Sequence, residues 1–368
     1  MIIGVPKEIK ISENRVGMTE AGARQLVKEG HTIYIEKDAG IGSGISNEQY
    51  EKAGAHILAT KQDVYAKSDM IMKVKEPLPA EYELMRENQI IYTYLHLAAE
   101  PILTKVLCER KVKAIAYETI QLDNGSLPLL TPMSEVAGRM ATQIGAFYLQ
   151  KDHGGKGILL GGVTGVKPGK VTIIGGGVVG TNAAKMAVGL GANVTILDVN
   201  TARLEYLDDI FQGRCQTLYS NAKNIEDSVR ESDLVVGGVL ITGQKAPTLV
   251  SKELVSQMSR GSVVVDVAVD QGGCIETCRP TSHTTPTYEI DGVIHYCVPN
   301  MPGVVPRTST YALTNVTLKY ASMIAARGVE DAIAKDKNLM KGLNVYSGAV
   351  CYEPVARDLG MTFKAYKI

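Results

Sequence analysis

The stretch VTIIGGGVVGTNAAKMAVGLGANVTILD, residues 171–198, decides how the rest of the chain is read. A β-branched run leads into a glycine cluster. Small and apolar residues at helical spacing follow, and a second β-branched run ends in Asp198. Gly175, Gly177 and Gly180 form G-x-G-x-x-G. Alone that pattern is weak. Between a strand and a helix, with an acidic residue closing the next strand, it has the context that dinucleotide binding requires. Gly175 permits the tight turn, Gly177 lets a pyrophosphate approach the backbone, and Gly180 lets helix and strand pack closely. The helix N-terminus offers free N–H groups and a positive dipole end to phosphate. Asp198 suits the two hydroxyls of an adenosine ribose and repels a 2′-phosphate, which points to NAD rather than NADP. Arg203, a little further on, tempers that preference, since a nearby arginine can welcome the phosphate.

Outward from this stretch the same alternation continues. Downstream, 226–233 reads as a helix, 234–239 as a strand, 251–258 as a helix and 261–268 as a strand. Upstream, helical patterns at 20–30, 47–55 and 102–111 alternate with strands at 31–36, 68–77 and 112–120. Strands alternating with helices predict parallel sheets covered on both faces. The expected fold is α/β: two Rossmann-like domains with a cleft between them. One comprises residues 1–128 and 307–368 and is discontinuous, because the last residues are too few for a domain and must pack back. The other comprises 129–306. Long helical patterns near 132–151 and 308–327 connect them.

Composition narrows the function classes. Lys plus Arg equals Asp plus Glu at 39 each among 368 residues, so no basic excess exists to neutralise nucleic-acid phosphates. No run of 18 apolar residues suggests a membrane span, and the N-terminal order of charged and apolar residues is not that of a signal peptide. The six cysteines lack zinc-site spacing, so they read as reduced thiols. The chain is expected to be cytoplasmic, with a small-molecule substrate.

Ligands of open α/β sheets sit beyond the carboxyl ends of the strands. The polar residues expected there are Lys75 after MIMKV, His96 after IIYTYL, and Asp270 after VVVDVAV. Arg15 lies in a loop just ahead of a helix. Arginine and lysine together suit a carboxylate, and histidine suits proton transfer near neutral pH. Each has a plain alternative. His96 alone could be a core histidine, though its convergence with Lys75 and Asp270 at strand ends favours a functional role; Lys75 could be a surface lysine, Asp270 a turn residue, and Arg15 the partner of Glu8 or Glu13.

GVPKEIKISENRVGMTEAG (4–22), MKVKEP (72–77), YLHLA (94–98), GGGVVGTNAAKMAVGLGA (175–192) and PNMPGVVPRTST (299–310) together resemble the alanine dehydrogenase family along essentially the whole chain. The related NAD-binding transhydrogenase component shares the glycine motif. The resemblance implies reversible NAD-dependent oxidative deamination of L-alanine to pyruvate and ammonium. It makes Arg15 and Lys75 the substrate-binding residues, and His96 and Asp270 the acid–base groups. It lines the NAD site with Ser134, Val178, Val179, Asp198, Arg203, Ser220, Val239, Leu240, Val267, Ala268, Val269, Asp270, Arg279, Val298, Pro299, Asn300 and Met301. It further implies a homohexamer. A magnesium site known in some members would fall on Met323 and Arg327, which are poor ligands, so no metal is expected. The alternatives are a 2-hydroxyacid dehydrogenase, a soluble transhydrogenase component and a non-catalytic NAD sensor.

Overall fold

The computed structural model describes residues 1–239, 246–269 and 272–366. It divides into two compact units, Met1–Met133 with Gly303–Ile368, and Ser134–Pro302.

In the first unit six strands run parallel: β1 (Ile2–Val5), β2 (Thr32–Glu36), β3 (His56–Leu58), β4 (Met70–Met72), β5 (Ile90–Thr93) and β6 (Lys113–Ala116). The second unit contributes β7 (Lys170–Ile174), β8 (Asn193–Asp198), β9 (Gln216–Tyr219), β10 (Leu234–Gly237), β11 (Val263–Asp266), β12 (Thr287–Ile290) and β13 (Val293–Tyr296). Two last strands, β14 (Leu343–Tyr346) and β15 (Ala349–Val350), return to the first unit. The strand orders are β15-β14-β6-β5-β4-β1-β2-β3 and β12-β13-β11-β10-β7-β8-β9. Both contain the doubly wound order, reversing direction between β1 and β4 in one unit and between β7 and β10 in the other. Such reversals open a crevice beyond the strand ends.

The sheets are mostly rather than wholly parallel. β14 and β15 are antiparallel at one edge of the first, and β12 is antiparallel at one edge of the second. Several short elements carry too little pattern to be read from sequence, and β1 is the most consequential. IIGV has four residues, no alternation because both faces are covered, and a glycine that weakens strand propensity. It nevertheless sits inside the sheet, with Ile3 and Val5 fully buried. The two long helices run Thr131–Tyr148 and Pro306–Lys335, the second continuing past its expected end. Gly328, at φ 77° and ψ 168°, breaks that helix from within, a conformation only glycine adopts readily.

The returning C-terminal segment belongs to the first core. Val345, Val350 and Val355 pack in one buried cluster with Ile71, Ile91 and Leu103, and β14 caps the otherwise open edge of β6. Full burial of such a side chain contributes about 1.5–3 kcal/mol. A chain ending before Leu343 loses all three together with the edge pairing. Its first unit is expected to unfold at markedly lower urea than the full chain, followed by circular dichroism. An unchanged midpoint would contradict this placement of the segment.

Candidate active site

The loops beyond β1, β4 and β5 carry the first unit's charged residues. Gly17 has no Cβ, and one built there would lie 2.7 Å from the Met72 carbonyl oxygen. The loop bearing Arg15 therefore lies directly on the end of β4. Arg15 is 2% exposed. Its Nε and Nη2 donate to the two oxygens of Glu13 at 2.7 and 2.5 Å, and its Nη1 is directed at Met133 Sδ at 3.1 Å. Of the two partners left open by the sequence, Glu13 makes the pair. Burial pushes the Arg15 pKa down, but the Glu13 hydrogen bond and charge outweigh it and raise the pKa above its usual value. The guanidinium is a fixed cation whose plane Glu13 sets.

Lys75 lies three residues past the end of β4 and is half-buried. Among the described residues its amine makes no ion pair. Burial, and then the charge of Arg15, hold its pKa below the ordinary lysine value. The surface-lysine reading is therefore wrong, and the two cations share one neighbourhood.

His96 differs from expectation. β5 ends at Thr93, and His96 sits beyond it at φ 50°, in the left-handed region, with its side chain exposed. It is neither a core histidine nor part of a dry strand. The Glu118 carboxylate accepts the His96 N–H at 2.7 Å and the Leu95 N–H at 3.2 Å, which grips the bend. The imidazole stacks on Tyr94, with centroids 5.8 Å apart and planes 10° apart. Tyr94 is buried, donates to the Leu129 carbonyl at 2.5 Å, and lies within electrostatic reach of Arg15. Glu118, Tyr94 and Met133 had no sequence signal of their own. Each acts through a partner distant in the chain.

In the second unit the glycine loop follows β7 as expected. Gly175 has φ 97°, and a Cβ there would crowd Gly238 at the end of β10, at 3.0 Å. A Cβ on Gly180 would lie 1.8 Å from the Gly175 carbonyl oxygen. At Gly177 a Cβ would meet nothing within 4 Å. Gly177 is also the N-cap of helix Val178–Gly189 and supplies no capping side chain. Open space in front of an uncapped helix N-terminus fits a phosphate. Asp198 ends β8. Its Oδ2 accepts the Gly176 N–H at 2.6 Å and its Oδ1 the Asn200 N–H at 2.8 Å. Arg203 donates to the Gly176 carbonyl and to Thr181 Oγ1, both at 2.6 Å, so it braces the glycine loop.

The other described residues expected to line the cofactor site all belong to this unit. Ser220 donates its N–H to the Asp198 carbonyl at 3.0 Å, and Val239 stands against Gly175. Val267 donates to the Gly237 carbonyl at 2.9 Å, and Ala268 to the buried Asp266 carboxylate at 3.1 Å. Ala268, Val269, Val298 and Met301 are buried, Pro299 and Asn300 half-buried, with Asn300 at φ 60°. Ser134 is half-buried in helix Thr131–Tyr148. Val178 and Val179 open the helix after the glycine loop. Arg279 is exposed and lies over the Tyr288 ring at 4.3 Å. Asp270 and Leu240 lie outside the described residues.

One unit thus carries a dinucleotide-type glycine loop and the other a carboxylate-type cation pair beside an exposed imidazole, a pairing typical of a dehydrogenase. Comparison with known proteins agrees. Residues 4–137 match the family described as "Alanine dehydrogenase/PNT, N-terminal domain", and residues 141–353 match "Alanine dehydrogenase/PNT, C-terminal domain". The chain is 62% identical to an alanine dehydrogenase of Methanococcus maripaludis, covering 97% of this chain and 96% of that protein. It is 60% identical to one of Bacillus subtilis, covering 99% and 96%. A solved L-alanine dehydrogenase superposes with a TM-score of 0.96 at 55% identity, covering 98% of this chain and 99% of that one. A transhydrogenase from Sinorhizobium meliloti, 24% identical, shares the fold at a TM-score of 0.83, covering 96% and 99%. The chain belongs to the alanine dehydrogenase/PNT family. It is an oxidoreductase, and the family's chemistry implies a nicotinamide cofactor. Among the described residues no helix is long and apolar enough to cross a membrane.

Gly180→Ala is expected to weaken NADH binding at least about tenfold, because overpacking against backbone forces the helix off the loop, a strain of typically 1–3 kcal/mol. Fluorescence titration measures it, and wild-type affinity would mean the loop does not hold the cofactor.

Proposed function

We propose that this enzyme catalyses reversible, NAD-dependent oxidative deamination of L-alanine to pyruvate and ammonium, as a cytoplasmic homohexamer. The first unit, in this reading, is the substrate domain and the second the nucleotide-binding domain. The observation that carries it is the neighbourhood of Arg15, Lys75 and Tyr94 with the imidazole of His96 stacked on that tyrosine.

The substrate carboxylate meets the Arg15 guanidinium, held rigid by Glu13, and the Lys75 ammonium lies beside the carbonyl oxygen. Two cations at that end orient the substrate and polarise its C–O bond as pyruvate is aminated. A nicotinamide, when bound, would supply the hydride acceptor for the alanine Cα and the donor in the reverse direction, and loss of that hydride leaves the substrate as an iminium. Water then adds to the resulting iminium carbon, and ammonia leaves. Each of these steps moves a proton. We assign that proton transfer to His96, and its exposure beyond the end of β5 supports the role. Asp270, outside the described residues, is proposed as the second acid–base group. In the cofactor site the glycine loop and the uncapped helix hold the pyrophosphate. The lining residues named from the family resemblance surround the rest.

Asp198 supports NAD over NADP. A carboxylate has about four lone-pair positions, so two backbone N–H groups leave room for the ribose hydroxyls. A 2′-phosphate removes one donor and brings like charge. Replacing Asp198 with Ala removes that repulsion, and it also frees Gly176 and Asn200. Both cofactors are then expected to bind less well, NAD by more, so the NAD:NADP ratio of kcat/KM falls by roughly tenfold or more, in line with about 1.5–3 kcal/mol for a charged hydrogen bond. An unchanged ratio would mean Asp198 does not touch the ribose.

The reaction itself is tested by NADH oxidation with pyruvate, with and without ammonium. Oxidation only with ammonium, giving alanine, is the expected result, and lactate formed at an equal rate without it would make the chain a hydroxyacid dehydrogenase. In the same assay His96→Ala should lose about 10²–10⁴ in turnover while NADH affinity stays near wild type. Retention of a tenth of the rate would remove His96 from the chemistry.

A further inference from the structure

Two lysines two residues apart, Lys73 and Lys75, have opposite fates. Lys73 is wholly buried, its amine held by Glu8 Oε2 and Glu81 Oε1, each at 3.0 Å. Burial depresses its pKa, but the charges of Glu8 and Glu81 outweigh that and raise it. Glu81 is itself shared with Lys61 at 3.1 Å and accepts the Leu78 N–H at 3.0 Å. Lys73 is therefore a structural cation, locked in a buried network. Lys75, by contrast, makes no ion pair among the described residues, and burial and then the Arg15 charge hold its pKa down against the weaker pull of Glu76 and Glu13.

Glu8 connects the two. It is 8% exposed and follows the central strand β1. While Oε2 takes the Lys73 amine, Oε1 accepts the Val74 N–H at 2.6 Å and the Lys75 N–H at 3.3 Å. The Lys75 carbonyl is in turn held by Thr93 Oγ1 at 3.0 Å. Both ends of the Lys75 peptide are thus pinned, and Glu8 supplies the pin from the segment just after β1. Neither group is needed to finish the sheet, since β4 has already ended at Met72.

We propose that Glu8 is a positioning residue for the substrate site. Its carboxylate, clamped by Lys73, holds the Val74–Lys75 amides and sets the Lys75 amine beside Arg15. This rests on the reading of Lys75 as a substrate-binding residue. A carboxylate is required because two sets of donors converge on it. Glutamine has one acceptor oxygen and an NH₂ group, so it must turn a donor towards either the Lys73 ammonium or the backbone N–H groups. Aspartate keeps the charge but draws the oxygens back by one methylene.

The test compares wild type, Glu8→Gln, Glu8→Asp, Lys75→Ala and Glu8→Gln/Lys75→Ala. Steady-state kinetics are combined with acylation of Lys75 by a limiting amine reagent, read by peptide mass spectrometry with NADH present and pyruvate added or omitted. NADH affinity, expected to stay near wild type, reports that each variant is folded. In the wild type pyruvate should slow Lys75 acylation. In Glu8→Gln that protection should be lost, and kcat/KM for pyruvate should fall about 10–100-fold, mainly through KM, as expected for one or two charged hydrogen bonds. The double variant should be no worse than Lys75→Ala within about threefold, since residues acting through one another are not additive. Glu8→Asp should show the same losses, which keeps the test usable if Glu8→Gln does not fold. Wild-type protection that persists in either folded Glu8 variant, or fully multiplicative effects in the double variant, overturns the proposal. If pyruvate fails to protect Lys75 in the wild type, the substrate-site reading itself falls, and the Glu8 role falls with it.

Discussion

Buried charge beyond the strand ends is the constraint that organises the first unit. Glu8, Glu13 and Glu81 pair with Arg15, Lys73 and Lys61, and Lys75 stands beside them without an ion pair among the described residues. All but Lys61 and Lys75 are nearly or wholly removed from water. Taking an ion out of water costs several kcal/mol unless a partner and hydrogen bonds compensate it. Each carboxylate therefore has a defined donor set: Glu13 on Arg15, Glu8 on Lys73 and two peptide N–H groups, Glu81 on Lys73, Lys61 and Tyr65. Removing Glu13 takes from the buried Arg15 its close carboxylate, and removing Glu8 leaves Lys73 with Glu81 alone. The cluster is thus rigid, and it leaves Lys75 the cation with least compensation.

The second unit repeats the strand order but solves a different problem. In the proposed reading its crevice receives phosphate and ribose, and it offers backbone N–H groups and space instead of buried ions. The glycines permit the turn and the close packing, and Gly177 leaves the helix end open. Asp198 and Arg203 both hold Gly176, one by its N–H and the other by its carbonyl. The residue read from sequence as a ribose ligand therefore also shapes the loop. A substitution there alters the glycine loop as well as any ribose contact.

Where a signal was local, the sequence was legible. The strand–glycine loop–helix–strand unit, with Asp198 closing β8, depends on residues close in the chain and is found as read. Arg15 was placed in the loop ahead of the first helix, as it is, and Lys75 at a strand end, where it stands three residues beyond β4. What was missed depends on distant contacts. β1 is four residues with no alternation, yet Glu8 in the segment just after it reaches into the network. Glu118 reaches the His96 bend across 22 residues. His96 looked like the last residue of an apolar strand because YL precedes it. A left-handed bend, invisible in composition, turns it out to solvent instead. The family resemblance supplied roles for single residues. The hydrogen bonds that make those roles possible came only with the fold.

The central claim is that Arg15, Lys75 and His96 receive one 2-oxoacid. A crystal structure with NADH and pyruvate tests it most directly. The account predicts the carboxylate against the Arg15 guanidinium, the oxo group beside the Lys75 amine, and the His96 ring about 2.6–3.2 Å from that oxygen or one water away. Pyruvate bound elsewhere, with Lys75 and His96 untouched, would contradict it.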